Sequence, residues 1–160
     1  MAEFYIPVLQ TIAFAASAVA ALWLIWHNGQ MAKRRAIVDL IIQQKFDEKL
    51  IEATNYVYKA YESQEQLGGL LDVKDDESID KLAKLLRAIN NLEFIAVGIR
   101  TGAFDEKVYK ELQYNNVLKL WRSTSGFVYE LRRREQKNTL FQDFERLAKR
   151  WERCPIKEIG

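Results

Sequence analysis

The feature that most limits how this chain can fold is a long uncharged run close to its N-terminus. Residues 4–26, FYIPVLQTIAFAASAVAALWLIW, contain no Asp, Glu, Lys or Arg. A helix of this length, rising about 1.5 Å per residue, spans roughly 34 Å, slightly more than the hydrocarbon core of a bilayer. Aromatic residues lie at both ends, as in the interfacial belts of membrane proteins: Phe4, Tyr5, Trp23 and Trp26. The run therefore predicts a single transmembrane helix.

Two alternatives to a membrane anchor are a buried core helix and a cleaved signal peptide. The remaining residues, about 130, are too few to surround such a helix on all sides. A secretory signal carries its cations before the apolar run, whereas here Glu3 precedes the run and Lys33, Arg34 and Arg35 follow it. Cations on a flank keep that flank in the cytoplasm. We therefore predict an uncleaved anchor with its N-terminus outside and the rest of the chain inside.

One face of the predicted anchor is small and partly polar. Residues at helical spacing on this face are Gln10, Ala13, Ser17 and either Ala20 or Ala21. Small residues let two helices approach closely in lipid, and polar ones form hydrogen bonds between them. The pattern favours a homo-oligomer that associates through this face, although alanine is also simply common in membrane anchors.

The rest of the chain is predicted to be helical. Pro7 and Pro155 are the two prolines, both near the ends, and the seven glycines are sparse, so the interior lacks the breaks that short strands require. A break in the first helix is expected at Asn28 and Gly29. The predicted fold class is all-α, with an anchor over residues 1–30, a small antiparallel bundle of four to six helices over 31–153, and a tail over 154–160.

Local signals predict where several helices begin and end. Asp47 and Asp105 are expected N-caps, and Phe104 before Asp105 resembles the first half of a hydrophobic staple. Gly102 is expected to close the preceding helix. A short helix should follow Asp105, and Gly126 within the next apolar stripe is expected to permit a close approach between helices.

The last helix has the clearest local pattern. Thr139 and Gln142 match a capping box, which predicts that the helix begins at Thr139. Four apolar residues then repeat on one face at helical spacing: Leu140, Phe144, Leu147 and Trp151. This face is predicted to pack into the domain core.

Glu93 is a carboxylate in a segment, LEFIAVGI, that is otherwise apolar nearly all round. An unpaired buried charge costs several kcal/mol or more, so this side chain must be neutralised, paired with a cation or turned to an exposed edge. Arg122 and Arg132 are the candidate partners of a buried polar pair. A structural role for Glu93 is favoured over that of a catalytic acid or base.

The middle of the chain contains the stretch INNLEFIAVGIRTGAFDEKVYKEL, followed by LKLWR and ELRRRE. With these motifs, residues 35–152 resemble a family of small uncharacterised bacterial and prophage proteins with a helical domain of unknown function, often anchored at the N-terminus. The resemblance implies a bacterial inner-membrane location and, by association, a role in phage defence or superinfection exclusion. It implies no catalytic residue. The matching positions are Asn90, Glu93, Gly98, Gly102, Asp105, Glu106, Trp121, Arg132 and Arg133.

The sequence offers little for catalysis, and we predict no catalytic, cofactor-binding or metal-binding residue. The chain has one histidine, His27, and one cysteine, Cys154, which lie far apart in sequence, so neither a Cys–His pair nor a metal cluster is indicated. The acidic residues near Asp75 suit a helix start better than a calcium loop. No glycine-rich phosphate loop is present.

The charge pattern favours a protein or lipid partner over nucleic acid. Lys+Arg number 24 and Asp+Glu 22, giving a net charge of +2, and the basic residues of the last third alternate with glutamates as on a solvated helix face. The leading hypothesis is a non-enzymatic, membrane-anchored interaction module that binds a cytoplasmic protein partner. The alternative is a membrane-perturbing effector in which assembled anchors admit ions past Gln10 and Ser17.

Overall fold

The protein is all-α and consists of one long N-terminal helix followed by a helical bundle. The computed structural model describes residues 2–72 and 74–156, with side chains from residue 7 onward. Within these residues it has no strand, and its five α-helices are α1 (Ala2–Gln44), α2 (Glu48–Glu62), α3 (Asp76–Arg100), α4 (Glu106–Glu135) and α5 (Gln142–Arg153). The predicted fold class is confirmed. The side chains of Phe4 and Tyr5, and residues 157–160 of the predicted tail, lie outside the described residues.

Helix α1 runs without interruption through Asn28 and Gly29, so the expected break at that pair is wrong. A glycine inside a helix costs about 1 kcal/mol relative to alanine, which is too little to end a helix that other residues favour. No atom lies within 4 Å of where a Cβ on Gly29 would stand. The predicted boundary at residue 30 therefore falls inside a continuous helix.

Helix α1 ends at a short turn, and α2 begins after Asp47. As predicted, Asp47 is the N-cap of α2, and its carboxylate accepts a hydrogen bond from the Leu50 amide at 3.0 Å. A 3-10 turn over Leu67–Leu71 leads to α3, whose N-cap is Asp75. Glu52 in α2 pairs with Lys84 in α3, and α2 and α3 pack closely against each other.

Helix α4 is a single helix of 30 residues. The expectation of a short helix followed by a separate helix with its own apolar stripe is therefore wrong. Its N-cap is the predicted Asp105, which accepts from the Val108 amide at 3.1 Å. Gly126 lies within α4, and no atom lies within 4 Å of a Cβ built there, so the expected close approach at this glycine is wrong. Nothing crowds the backbone at this point, and the helix continues through it.

The turn between α3 and α4 depends on two glycines. Gly102 has a φ of +76°, in the left-handed region that glycine adopts without the penalty of a Cβ, and it ends α3 as predicted. The Phe104 ring lies directly against Gly98, and a Cβ on Gly98 would overlap it. The Phe104 ring also makes an edge contact with Phe94, with 5.9 Å between ring centroids.

The core of the bundle lies around α3, with large side chains from α4 and α5 packed on it. Trp121 of α4 meets Phe144 of α5 edge-on, with ring centroids 5.2 Å apart, and Trp151 packs against Tyr109. Helix α1 contributes Ile37 and Ile41, both buried. The predicted apolar face of α5 is thus confirmed for Phe144, Leu147 and Trp151.

Candidate functional site

The N-terminal half of α1 is the part of the described chain that the domain leaves uncovered. The described span Pro7–Gln44 contains an 18-residue window with a mean hydropathy of 2.0, and none of that window is buried. The helix is long and apolar enough to cross a membrane. Side chains such as Phe14, Leu22 and Trp23 are largely exposed, and Trp23 stacks on His27 with ring centroids 5.2 Å apart.

The residues predicted for self-association all lie on this uncovered half. Gln10, Ala13, Ser17, Ala20 and Ala21 are exposed. The Ser17 hydroxyl donates to the Ala13 carbonyl oxygen at 2.8 Å, within the same helix. That hydroxyl proton therefore already has an acceptor within its own helix, and the three alanines of this face carry no donor in their side chains.

The predicted topology-setting cations lie where α1 enters the domain. Arg34 Nε lies 3.0 Å from Asp105 Oδ2, and Lys33 Nζ lies 3.6 Å from the place a Cβ would take on Gly102. Arg35 is exposed. The cationic segment of α1 is therefore in contact with the turn between α3 and α4, which joins the first helix to the far part of the chain.

Asp105 has two functions at this junction. One carboxylate oxygen caps α4 through the Val108 amide, and the other accepts from Arg34. Burial raises the pKa of Asp105, but the hydrogen bonds from the Val108 amide and from Arg34 outweigh it and hold the pKa below the ordinary aspartate value. The carboxylate is thus charged at neutral pH and is held between α1 and α4.

The next residue, Glu106, connects the same corner to α5. Its Oε1 accepts from Arg150 Nη2 at 2.8 Å and from the Trp151 indole N–H at 2.9 Å. Asp105 and Glu106 therefore link the first turn of α4 to the cationic segment of α1 and to the last turn of α5. We call the residues Arg34, Asp105, Glu106, Arg150 and Trp151 the junction cluster.

Glu93 is not paired with either arginine proposed from the sequence. Its Oε2 accepts from the Phe144 amide at 2.7 Å and its Oε1 from the Asp143 amide at 3.3 Å. Both amides lie in the first turn of α5, where backbone N–H groups lack partners within the helix. The Glu93 carboxylate of α3 thus caps α5. Glu93 has a structural role, as expected, but its partners are two backbone amides and not Arg122 or Arg132.

This contact also explains why the predicted capping box is wrong. Helix α5 begins at Gln142, and its N-cap is Phe141, which has a φ of +54° and makes no side-chain capping bond. Thr139 lies in the preceding turn, where its carbonyl oxygen accepts from the Gln142 amide. Because the Glu93 carboxylate of α3 binds two amides at the positive end of the α5 dipole, the start of α5 does not need a local capping residue.

The two arginines form other pairs. Arg132 Nη1 lies 2.6 Å from Glu145 Oε2, and Arg132 Nε donates to the Leu140 carbonyl oxygen at 2.7 Å. Burial raises the pKa of Glu145, but hydrogen bonds from Lys149, Arg132 and Tyr129 together lower it to about 2. Arg122 pairs with Glu152 at 3.2 Å. These pairs join helices α4 and α5. No local sequence pattern predicted them.

The residues weighed for catalysis do not form a recognisable centre in the described part of the chain. His27 lies on the uncovered half of α1, and Cys154 is exposed just after α5. Among residues 2–72 and 74–156, no group of three or more His, Cys, Asp or Glu side chains is arranged to hold a metal ion.

These features define a class of protein in which a helical domain is joined, without an intervening linker, to a helix that is long and apolar enough to cross a membrane. The chain belongs to the family Domain of unknown function (DUF4760), whose model matches residues 11–151. The match extends from the apolar half of α1 to the last turn of α5, and it agrees with the uncharacterised helical family expected from the sequence. Comparison with curated proteins and with solved structures gave no match.

Proposed function

We propose that the protein is a single-pass interaction module of the bacterial inner membrane, which associates through its anchor and binds a cytoplasmic protein partner without catalysing a reaction. The observation that carries this proposal is the continuity of α1. One helix contains an uncovered apolar half and a second half whose Ile37 is fully buried in the domain. A domain attached in this way is held close to the bilayer and cannot turn independently of its anchor.

The junction cluster adds polar contacts to the attachment that the buried Ile37 makes. Arg34 binds Asp105, the N-cap of α4, and Glu106, which follows Asp105, binds Arg150 in the last turn of α5. A change in how the anchors associate would therefore rotate or displace the domain as a unit, whereas a flexible linker would absorb it. This coupling suits a protein that presents a binding surface in response to events in the membrane.

The orientation in the proposal has the N-terminus outside and the domain in the cytoplasm. It is supported by the three cations that follow the apolar run, Lys33, Arg34 and Arg35, because Lys and Arg near the end of a span favour the cytoplasmic side. The single cysteine, Cys154, is exposed at the end of α5. It is therefore a native reporter of the side on which the domain lies.

The topology is tested by labelling Cys154 with a membrane-impermeant maleimide. Intact spheroplasts should leave Cys154 unlabelled, and permeabilised ones should label it fully. A matched control, Cys154→Ser combined with Ala2→Cys, should be labelled in both intact and permeabilised spheroplasts, because its cysteine lies outside the cell. Labelling of Cys154 in intact spheroplasts would contradict the orientation, and release of the chain into the soluble fraction would contradict the anchor.

Association through the anchor has its own test. Ala13→Leu and Ala20→Leu enlarge the small face and should weaken a detergent-extracted oligomer, measured by crosslinking. Ala15→Leu is the control, because a residue two positions away lies about 200° around the helix. Equal effects at Ala13 and Ala15, or none at either, would contradict association through this face.

Partner binding and the role in phage defence are tested together in the host. The intact protein, isolated from its own membrane with and without phage challenge, should retain one cytoplasmic protein at a constant ratio. Deleting the gene for that protein should abolish any protection that the membrane protein gives against phage plaques. Protection that persists without the partner would contradict the proposed mechanism.

A further inference from the structure

A cavity of about 270 Å³ lies where the end of α1 meets α2, α3 and α4. Its floor is apolar and includes the buried side chains of Leu50, Leu92 and Val117. Its size is near the lower end of the range for small-molecule pockets in proteins, roughly 300–1,000 Å³. The function proposed above makes no use of this cavity.

The polar part of the lining consists mainly of side-chain amides. Carboxamides reach it from four helices, since α1, α2 and α3 contribute one each and α4 contributes two. These residues are Gln44, Asn55, Asn91, Gln113 and Asn116. An amide offers a donor and an acceptor side by side and carries no charge.

Two hydrogen bonds fix the carboxamides in pairs without satisfying them. Gln44 Nε2 donates to Asn91 Oδ1 at 2.9 Å, and Asn116 Nδ2 donates to Gln113 Oε1 at 2.8 Å. Each pair therefore keeps one amide oxygen and one NH₂ group that bond to no other side chain in the described part of the protein. The cavity wall thus carries oriented donors and acceptors with unused capacity.

Two tyrosines complete the lining, and both remain neutral over the physiological range. Burial raises the pKa of Tyr109, with a smaller contribution from Tyr58, and burial also raises the pKa of Tyr58. Among the residues that line the cavity, Lys45 is the one charged residue. A charged ligand would leave its hydration shell for a wall with little to compensate it, so the lining favours an uncharged ligand.

We infer that this cavity binds the base of a purine nucleoside. A carboxamide can recognise the edge of adenine by accepting from the exocyclic amine and donating to N7. In each pair here the unused oxygen and the unused NH₂ lie on two neighbouring side chains, which together offer the same acceptor and donor. The apolar floor and an aromatic ring suit the faces of a flat base. Gln44 is the last residue of α1, beside the α1–α2 turn, and Asn91 lies within α3. A base bound to this pair therefore contacts both the anchor helix and the domain.

The inference is tested on the full-length protein in detergent micelles by isothermal titration with adenosine. Asn91→Ala and Asn116→Ala each remove one member of a carboxamide pair and should weaken binding by about tenfold or more, as expected when a paired contact to a base is lost. The matched controls are Asn90→Ala and Asn115→Ala, which alter the neighbouring exposed residues of the same helices. They should leave the dissociation constant unchanged within about twofold.

Ribose is the control ligand, and it should not bind. Circular dichroism establishes that each variant is folded. If one is not, Gln44→Ala replaces Asn91→Ala, and Gln113→Ala replaces Asn116→Ala. The inference is overturned if adenosine does not bind below about 1 mM, if ribose binds as tightly as adenosine, or if Asn90→Ala weakens binding as much as Asn91→Ala. None of these results depends on the orientation of the protein in the membrane, so failure here leaves the proposed function intact.

Discussion

The two halves of α1 belong to one continuous helix but differ in what surrounds their side chains. The N-terminal half carries no charge over residues 4–26, and none of its most apolar 18-residue window is buried. In the C-terminal half the apolar residues Ile37, Leu40 and Ile41 share one side, and that side packs against the domain. A helix with one apolar stripe is suited to the surface of a protein in water, whereas one that is apolar all round needs an apolar surrounding. The difference supports the proposal that one helix passes from lipid into water.

The largest effect is expected at Ile37, where the helix meets the core. This side chain is 0% exposed, whereas Ile42 on the same helix is 50% exposed. Ile37→Ala should lower the free energy of unfolding by about 2–5 kcal/mol, because it leaves a cavity, and Ile42→Ala should change it by about 0.5 kcal/mol or less. Urea unfolding in micelles, followed by near-ultraviolet circular dichroism, measures both. Similar losses for the two variants would mean that α1 is not packed on the domain as described.

The next prediction places the same new charge in each half. Ala16 and Ala36 are both exposed, but the account places Ala16 in lipid and Ala36 in water. Ala16→Arg should oppose insertion by about 2.5–3.5 kcal/mol, and Ala36→Arg should have little effect. The fraction that stays with membranes after an alkaline carbonate wash measures insertion. Equal retention of the two variants would remove the distinction between the halves.

A smaller effect tests the turn that receives α1. Gly98 has no room for a side chain beneath Phe104, whereas Gly126 faces open space. Gly98→Ala should destabilise the domain by about 1–3 kcal/mol, since it overpacks the core. Gly126→Ala should stabilise it by about 0.4–1 kcal/mol, because alanine loses less conformational entropy on folding. Both changes are measured by thermal unfolding. Stabilisation by Gly98→Ala would show that the Phe104 contact is absent.

The smallest effect is expected at the ion pair between Arg34 of α1 and Asp105 of the domain. Arg34→Ala and Arg35→Ala remove the same charge from the segment that follows the apolar run, but Arg34 also binds Asp105. Arg34 is largely exposed, so its loss should cost at most about 1 kcal/mol more than that of Arg35. The unfolding free energies of the two variants give this difference directly. A greater loss for Arg35→Ala would contradict the pairing.

The same pair should depend on pH in a defined direction. The pKa of Asp105 is lowered in the folded protein, so the carboxylate binds its proton less readily there than in the unfolded chain. Its contribution is therefore fully present above about pH 5 and is lost as the pH falls through the lowered pKa. The difference between wild type and Arg34→Ala should shrink over that range. A difference that grows on acidification would contradict the assignment.

The elements that could be predicted from the sequence depend on local chemistry. The uncharged run, the N-caps Asp47 and Asp105 and the glycine at position 102 each act through neighbouring residues, and the structure has all of them. The position of the cations after the run was likewise readable from the sequence. Their contact with Asp105, 71 residues from Arg34, was not.

The wrong predictions are those in which a local sequence pattern is outweighed by contacts between residues far apart in the chain. Asn28 and Gly29 favour a turn, but a helix supported on both sides continues through them. Glu93 is 51 residues from Phe144, whose amide it caps, and no spacing rule connects them. Phe141 adopts a left-handed backbone conformation, which costs energy for a bulky residue, and its side chain packs against the core. Such contacts exist only once the bundle has formed.

The most direct test of the central claim uses the four tryptophans in bilayers that contain brominated acyl chains, which quench the fluorescence of nearby indoles. Trp23 and Trp26 lie on the uncovered half of α1, whereas Trp121 and Trp151 are buried in the domain. The account predicts strong quenching of the wild type and almost none of the Trp23→Phe/Trp26→Phe double variant. Equal quenching of the two proteins would contradict the claim that lipid surrounds the first half of α1.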